Sequence, residues 1–137
     1  MKIQGGCLCG AVRYRSDAEP LRTAICHCKN CQRQTGTAFS VIVAVARESL
    51  VMEGSQPDVY TDVGSSGLPV LRMFCARCGS PILSRVAATP TMDWIKAGTL
   101  DDTSWLQPQA NIWWDSAQPW VQMSDQIPRL ARNPSTA

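Results

Sequence analysis

The chain has 137 residues, of which 45 % are apolar and 18 % charged, and its formal charge at pH 7 is +2. This length is enough for one domain with its own core, and the composition excludes a disordered chain. The small charge, without a run of Lys and Arg, argues against nucleic acid as a partner. Residues 1–6 contain no apolar stretch, and the longest apolar run, 38–46, is far shorter than the roughly 20 residues that span a membrane. We therefore expect a single domain over residues 1–137, in the cytoplasm and without a membrane partner.

The predicted elements are short and separated by turns, which favours a mostly β fold. In chain order, the candidate strands are 11–15, 21–26, 38–46, 50–53, 59–61, 70–74, 81–84, 92–98 and 111–114. We expect 21–26 to be the hairpin partner of 11–15, and 38–46 to be a buried strand. Residues 29–34 predict one helical turn that ends at Gly36. Residues 133–137 are expected to form a loose tail.

Seven cysteines fall into three groups along the chain, at 7–9, 26–31 and 75–78. An odd number of cysteines cannot all pair as disulfides, and a reducing cytosol does not preserve disulfides. Groups of cysteines in such a protein indicate metal ligands. The sequence therefore predicts a zinc protein.

Two of the groups have the spacing of a closed zinc site. Cys75 and Cys78 are separated by two residues and followed by Gly79, which is typical of a zinc knuckle. A knuckle supplies two ligands and needs a second pair. Cys7 and Cys9 are the obvious donors, because residues i and i+2 of an extended segment lie on the same face.

The remaining group predicts a zinc site with an open position. Cys26 and Cys28 share a face, and Cys31 can return through the following turn. Three protein ligands leave one position free, which is typical of catalytic zinc. His27 points away from its two neighbours in an extended segment and is not expected to be the fourth ligand. A different pairing, with Cys7 and Cys9 joined to two cysteines of the middle group, stays open from the sequence.

Three stretches, 5–14, 26–39 and 74–80, resemble the glutathione-dependent formaldehyde-activating family, which includes the centromere protein V-like domains. Residues 112–120 and 127–128 resemble its C-terminal signature, so the resemblance covers about 5–128. It implies an Mss4-like fold, a complex of small antiparallel sheets around a structural zinc. The resemblance also implies which cysteines bind each zinc ion and which reaction the protein catalyses. The structural zinc would be held by Cys7, Cys9, Cys75 and Cys78, and a catalytic zinc by Cys26, Cys28 and Cys31. The implied activity is that of a carbon–sulfur lyase, which reversibly joins glutathione to formaldehyde.

A substrate thiol in the open position, with its pKa lowered by the metal, could attack a small carbonyl. The expected partner is therefore a small thiol or its aldehyde adduct, with glutathione as co-substrate. Glutathione carries two carboxylates, for which Arg33 and Lys29 are the nearest cationic candidates. His27 is a candidate proton shuttle or, equally, a polar side chain satisfied on the outer face of the loop. We expect an enzyme.

Two rival interpretations remain from the sequence: a thiol-binding module without turnover, and an interaction domain in which both zincs are structural. The five tryptophans are expected mainly in the core, with Trp94 and either Trp113 or Trp114 at inward strand positions.

Overall fold

The computed structural model describes residues 2–134. Ten strands and one α-helix account for most of its regular structure. In chain order they are β1 (Ile3–Gly6), β2 (Val12–Ser16), β3 (Arg22–Cys26), α1 (Lys29–Thr35), β4 (Ser40–Ala46), β5 (Leu50–Gly54), β6 (Asp58–Val63), β7 (Pro69–Phe74), β8 (Pro81–Val86), β9 (Met92–Lys96) and β10 (Ala110–Ile112). Short 3₁₀ helices cover Arg47–Ser49, Ala97–Thr99 and Trp114–Ser116. The mostly β prediction and the single helical turn are confirmed.

The strands form two sheets. The smaller sheet is antiparallel with the order β1-β2-β5, and the larger has the order β10-β3-β4-β9-β8-β7-β6. All pairs in the larger sheet are antiparallel except β10, which runs parallel to β3. The predicted hairpin between 11–15 and 21–26 is wrong. Strand β2 pairs with β1 and β5, whereas β3 pairs with β4 and β10 in the other sheet.

Alternation along the central strand β4 separates two layers of buried side chains. Val43 and Val45 point toward the smaller sheet and join a core with Val12 and Tyr14. Ile42 lies on the opposite face, in a second cluster that includes Cys26. Because successive side chains of a strand face opposite sides, the larger sheet packs its partner sheet on one face and leaves the other for a site. Within residues 2–134, no helix is long and apolar enough to cross a membrane.

Candidate metal centres and cavity

The first cysteine cluster joins two loops that are distant in the sequence. Cys7 and Cys9 follow β1, and Cys75 and Cys78 follow β7. The four sulfurs all lie within 4.8 Å of one another. The Sγ atom of Cys9 lies 3.5 Å from that of Cys7 and 3.8 Å from that of Cys75. Four sulfurs about 2.3 Å from a central tetrahedral ion are separated by about 3.8 Å, so this cluster fits zinc.

Backbone turns and hydrogen bonds hold the thiols of this cluster in place. Gly79 adopts φ 81° and donates its N–H to the carbonyl of Cys75 over 2.8 Å. The amide of Val12 donates to Cys7 Sγ at 3.3 Å. Hydrogen bonds from the side chain and the backbone of Ser80 lower the pKa of Cys78 to about 5. A thiolate at this position is the form that binds a metal ion.

The second cluster, the open cluster of Cys26, Cys28 and Cys31, is built where β3 passes into α1, whereas the first, with four thiols, is the closed cluster. Cys26 ends the strand, Cys28 caps the helix and Cys31 lies in its first turn. The Sγ atom of Cys28 accepts a hydrogen bond from the amide of Cys31 at 3.3 Å, so the cap itself brings the two thiols together. The three sulfurs lie within 4.8 Å of one another, and in the described part of the chain no further His, Cys, Asp or Glu joins them. The alternative pairing of Cys7 and Cys9 with this group is therefore excluded by the geometry.

A soft, three-thiol donor set of this kind fits zinc and leaves room for an external ligand. Hydrogen bonds from Cys26 and Cys28 lower the pKa of the Cys31 thiol, burial acts in the opposite direction, and the positive charges of Lys96 and Arg72 lower it further. Cys31 is therefore the member of the cluster whose surroundings most favour the thiolate.

His27 lies on the other side of the loop from the thiols. It is completely buried, and its Nε2 atom is 2.9 Å from Asn111 Oδ1. Its ring packs against Phe39 and, edge to face, against Trp114, with centroids 5.5 and 4.9 Å away. Its Nδ1 atom is buried without a hydrogen-bond partner among the described residues. Since His27 does not line the cavity described below, its position fits a buried structural side chain rather than a proton shuttle.

The free face of the larger sheet forms the floor of a cavity of about 840 Å³, and the three thiols of Cys26, Cys28 and Cys31 lie in its wall. Trp94 and Trp113 also line it, packed against the buried cluster on this face. A cavity of this size accommodates a small-molecule ligand.

The two cations predicted near the open cluster have different positions. Lys29 lines the cavity, whereas Arg33, on the same helix, is exposed and does not line it. Part of the segment predicted as a loose tail also contributes to this region: Asn133 accepts a hydrogen bond from Trp113 Nε1 at 2.7 Å, and Pro134 lines the cavity. Residues 135–137 lie outside the described residues.

Two buried cationic residues of the cavity were not predicted. Arg72 on β7 and Lys96 on β9 are 7 % and 6 % exposed, and both line the cavity. The Nη1 atom of Arg72 donates toward Cys31 Sγ at 3.9 Å. Burial lowers the pKa of Lys96, and the negative charge of Cys31 opposes that effect. The sequence signal for Arg72 is a charged residue at an inward position of an otherwise apolar strand, whereas the strand of Lys96 also contains the buried Asp93.

Fold and thiol clusters together define a small, mostly β protein with one four-thiol and one three-thiol cluster, each of which could hold a metal ion. The sequence model of the family described as glutathione-dependent formaldehyde-activating enzyme matches residues 2–116. The chain belongs to this family.

One sequence relative and one solved structure accompany the family match. A protein from Halomonas elongata whose name assigns it to the same family is 30 % identical over 86 residues. The alignment covers 60 % of this chain and 55 % of that relative, so this chain spans only about half of the relative's length. A crystal structure of a Rhodobacter sphaeroides protein superposes with a TM-score of 0.58 and 20 % identity, covering 77 % of this chain and 91 % of that one. At that identity the similarity shows the fold alone.

Proposed function

We propose that this protein is a zinc-dependent carbon–sulfur lyase that acts on the adduct of glutathione, or another small thiol, with an aldehyde. The observation that carries the proposal is the convergence of Cys26, Cys28 and Cys31, with no fourth ligand among residues 2–134, on a cavity of about 840 Å³. Membership of the glutathione-dependent formaldehyde-activating family supports it.

The three thiols would hold the zinc, which supplies a Lewis acid that lowers the pKa of a substrate thiol toward neutrality. The chain's own residues provide the surroundings for that chemistry. Arg72 and Lys96 place two buried positive charges beside the thiolates, where low dielectric strengthens their effect. Trp94 and Trp113 form apolar parts of the cavity wall.

The reaction is a reversible addition to a carbonyl. The substrate sulfur forms a bond to the carbonyl carbon, the carbonyl double bond becomes a single bond, and the thiol proton ends on the carbonyl oxygen. The reverse reaction returns that proton to sulfur as the carbon–sulfur bond breaks. Lys29 lines the cavity and would bind a carboxylate of the thiol.

Steady-state exchange between free glutathione, formaldehyde and S-hydroxymethylglutathione, followed by NMR on zinc-loaded protein, tests the proposal. We expect catalysed exchange that falls at least about 100-fold in Cys31→Ser, because a metal ligand is lost. Saturable binding of thiols without exchange of any aldehyde adduct would instead identify a thiol-binding module. Exchange that is unchanged in Cys31→Ser would contradict the proposed site.

A further inference from the structure

The lining of the cavity is strongly asymmetric in charge. Four cationic side chains line it, and among the described lining residues there is no Asp or Glu. The four are Arg22, Lys29, Arg72 and Lys96. Three thiolates of the open cluster with a Zn²⁺ ion would offset only one of these positive charges, and a cavity with low-dielectric walls and a net positive charge attracts anionic ligands.

Two of the four cations are buried beside the open thiol cluster and retain unused hydrogen-bond donors. Arg72 donates its Nε to Asp62 at 2.9 Å and its Nη1 toward Cys31 Sγ at 3.9 Å. Lys96 donates to Ser40 Oγ at 2.9 Å, which is the one hydrogen-bond partner of its ammonium group among residues 2–134. An ammonium group has three donors and a guanidinium has five, so both can bind a further acceptor.

A third polar group lies between these two cations on the sheet. Ser84 on β8 is paired in register with Arg72 on one side and with Trp94 on the other, two residues before Lys96 on the same strand. Ser84 lines the cavity, is 6 % exposed, and its Oγ has no hydrogen-bond partner within the described residues. Buried hydroxyls without a partner are uncommon and destabilising, so an unpaired one beside two buried cations points to a ligand oxygen.

Asp62 does not supply the acceptor oxygen that this part of the cavity lacks. Its Oδ2 atom accepts from Arg72 Nε and from Asn30, and its side chain lies outside the cavity lining. The Asp62 carboxylate orients the Arg72 guanidinium through its Nε and does not occupy its two Nη nitrogens. The donors of Arg72, Ser84 and Lys96 therefore remain available on the cavity floor, and that of Arg72 lies 3.9 Å from Cys31 Sγ.

From this arrangement we infer that Arg72, Ser84 and Lys96 form a carboxylate-binding subsite beside the open thiol cluster. The substrate is then a small acidic adduct whose carboxylate lies only a few bonds from the reacting sulfur. This inference rests on the proposed thiol–carbonyl reaction, whose bond changes are unaltered by it. The carboxylate can belong to either component, to a short mercapto acid or to an aldehydic acid.

Calorimetric binding of mercaptoacetate and of its neutral amide to zinc-loaded protein tests the subsite. We expect mercaptoacetate to bind at least about tenfold tighter than mercaptoacetamide, and the longer 6-mercaptohexanoate to lose most of this advantage. Lys96→Met should reduce the preference for the carboxylate to about twofold or less. The matched control Lys2→Met, an exposed lysine that does not line this cavity, should leave it unchanged.

Because Lys96 is buried, its replacement can disturb folding, and Ser84→Ala provides a milder variant. It removes only the unpaired hydroxyl, and we expect it to weaken mercaptoacetate binding about three- to tenfold, with zinc content and mercaptoacetamide affinity unchanged. Equal affinities of acid and amide in the wild-type protein would overturn the subsite.

The two sources of the carboxylate are separated by turnover. Glyoxylate with 2-mercaptoethanol places the acid on the carbonyl component, and formaldehyde with mercaptoacetate places it on the thiol. The pair that is exchanged faster identifies the source. Exchange of S-hydroxymethylglutathione without any preference for a carboxylate would overturn the carboxylate subsite alone. A preference for the carboxylate in binding, without any exchange, would overturn the proposed lyase activity alone.

Discussion

Cys31 connects the three features on which the site depends. Its amide bonds to the capping Cys28, its thiol completes the open cluster, and its sulfur lies 3.9 Å from the guanidinium of Arg72. The three local groups of cysteines could be predicted from the sequence because metal-binding spacings are local properties of the chain. Spacing left open whether Cys7 and Cys9 join the third group or the middle one, and the fold brings them to Cys75 and Cys78. Arg72 and Lys96 could not, because they approach the cluster only through the pairing of β7, β8 and β9.

The contrast between Lys29 and Arg33 has a similar origin. Both lie on α1 and are close to Cys31 in the sequence, yet Lys29 faces the cavity and Arg33 faces solvent. Sequence distance to a site does not determine the side of a helix on which a residue lies, and the orientation of α1 follows from its packing against the sheet. Arg33 is therefore a poor candidate for binding a substrate carboxylate.

Tyr14 provides a prediction on stability at the residue scale. It is 1 % exposed, and its hydroxyl pairs with Thr99 Oγ1 at 2.6 Å. Burial raises its pKa to about 12, although the bond to Thr99 acts in the opposite direction. Because the folded state favours the neutral phenol, Tyr14 stabilises the fold fully below its pKa in the unfolded chain, about 10. This stabilisation is lost as the pH rises toward 12.

We expect the free energy of unfolding, from urea titrations, to fall between pH 9 and pH 11 by roughly 1 kcal/mol more in the wild type than in Tyr14→Phe. At pH 8 the variant should be less stable by about 1 kcal/mol, because one buried hydrogen bond is lost. Identical losses of stability in both proteins above pH 9 would show that Tyr14 titrates normally.

At the scale of elements, α1 positions two of the three thiols of the open cluster although it has only seven residues. Cys28 is its N-cap, and Gly36 is its C-cap, which adopts φ 68° and donates its amide to the carbonyl of Gln32. The start, the length and the terminating glycine were predicted because capping signals are local. The strand that pairs with β3 was not predicted correctly. The alternation of apolar and polar residues shows which residues share a face of a strand, but not which strand pairs with it.

Gly36→Ala tests the role of this helix end. A Cβ atom at Gly36 meets nothing within 4 Å, so the expected loss of about 1 kcal/mol in unfolding free energy comes from the left-handed backbone alone. Gly98→Ala is the matched control: its Cβ also meets nothing within 4 Å, and its φ is not in the left-handed region. Urea unfolding of the two variants should differ by about that amount, and equal stabilities would rule out backbone strain as the reason for the glycine.

At the scale of the whole molecule, the two clusters lie on different parts of the fold. The closed cluster links the loop after β1 of the smaller sheet to the loop after β7 of the larger, and so connects the two sheets across the core. The open cluster lies on the other face of the larger sheet, at the cavity. Metal at the first cluster should therefore contribute to folding, whereas metal at the second should serve the cavity.

The measurement that tests this account most directly is the zinc content per chain, determined by mass spectrometry of metals on protein purified under reducing conditions. We expect about two zinc ions per chain in the wild type and about one in Cys31→Ser, with the far-ultraviolet circular dichroism spectrum of the variant unchanged. One zinc ion per chain in both proteins, not increased by added metal, would contradict the open metal centre and the function proposed for it.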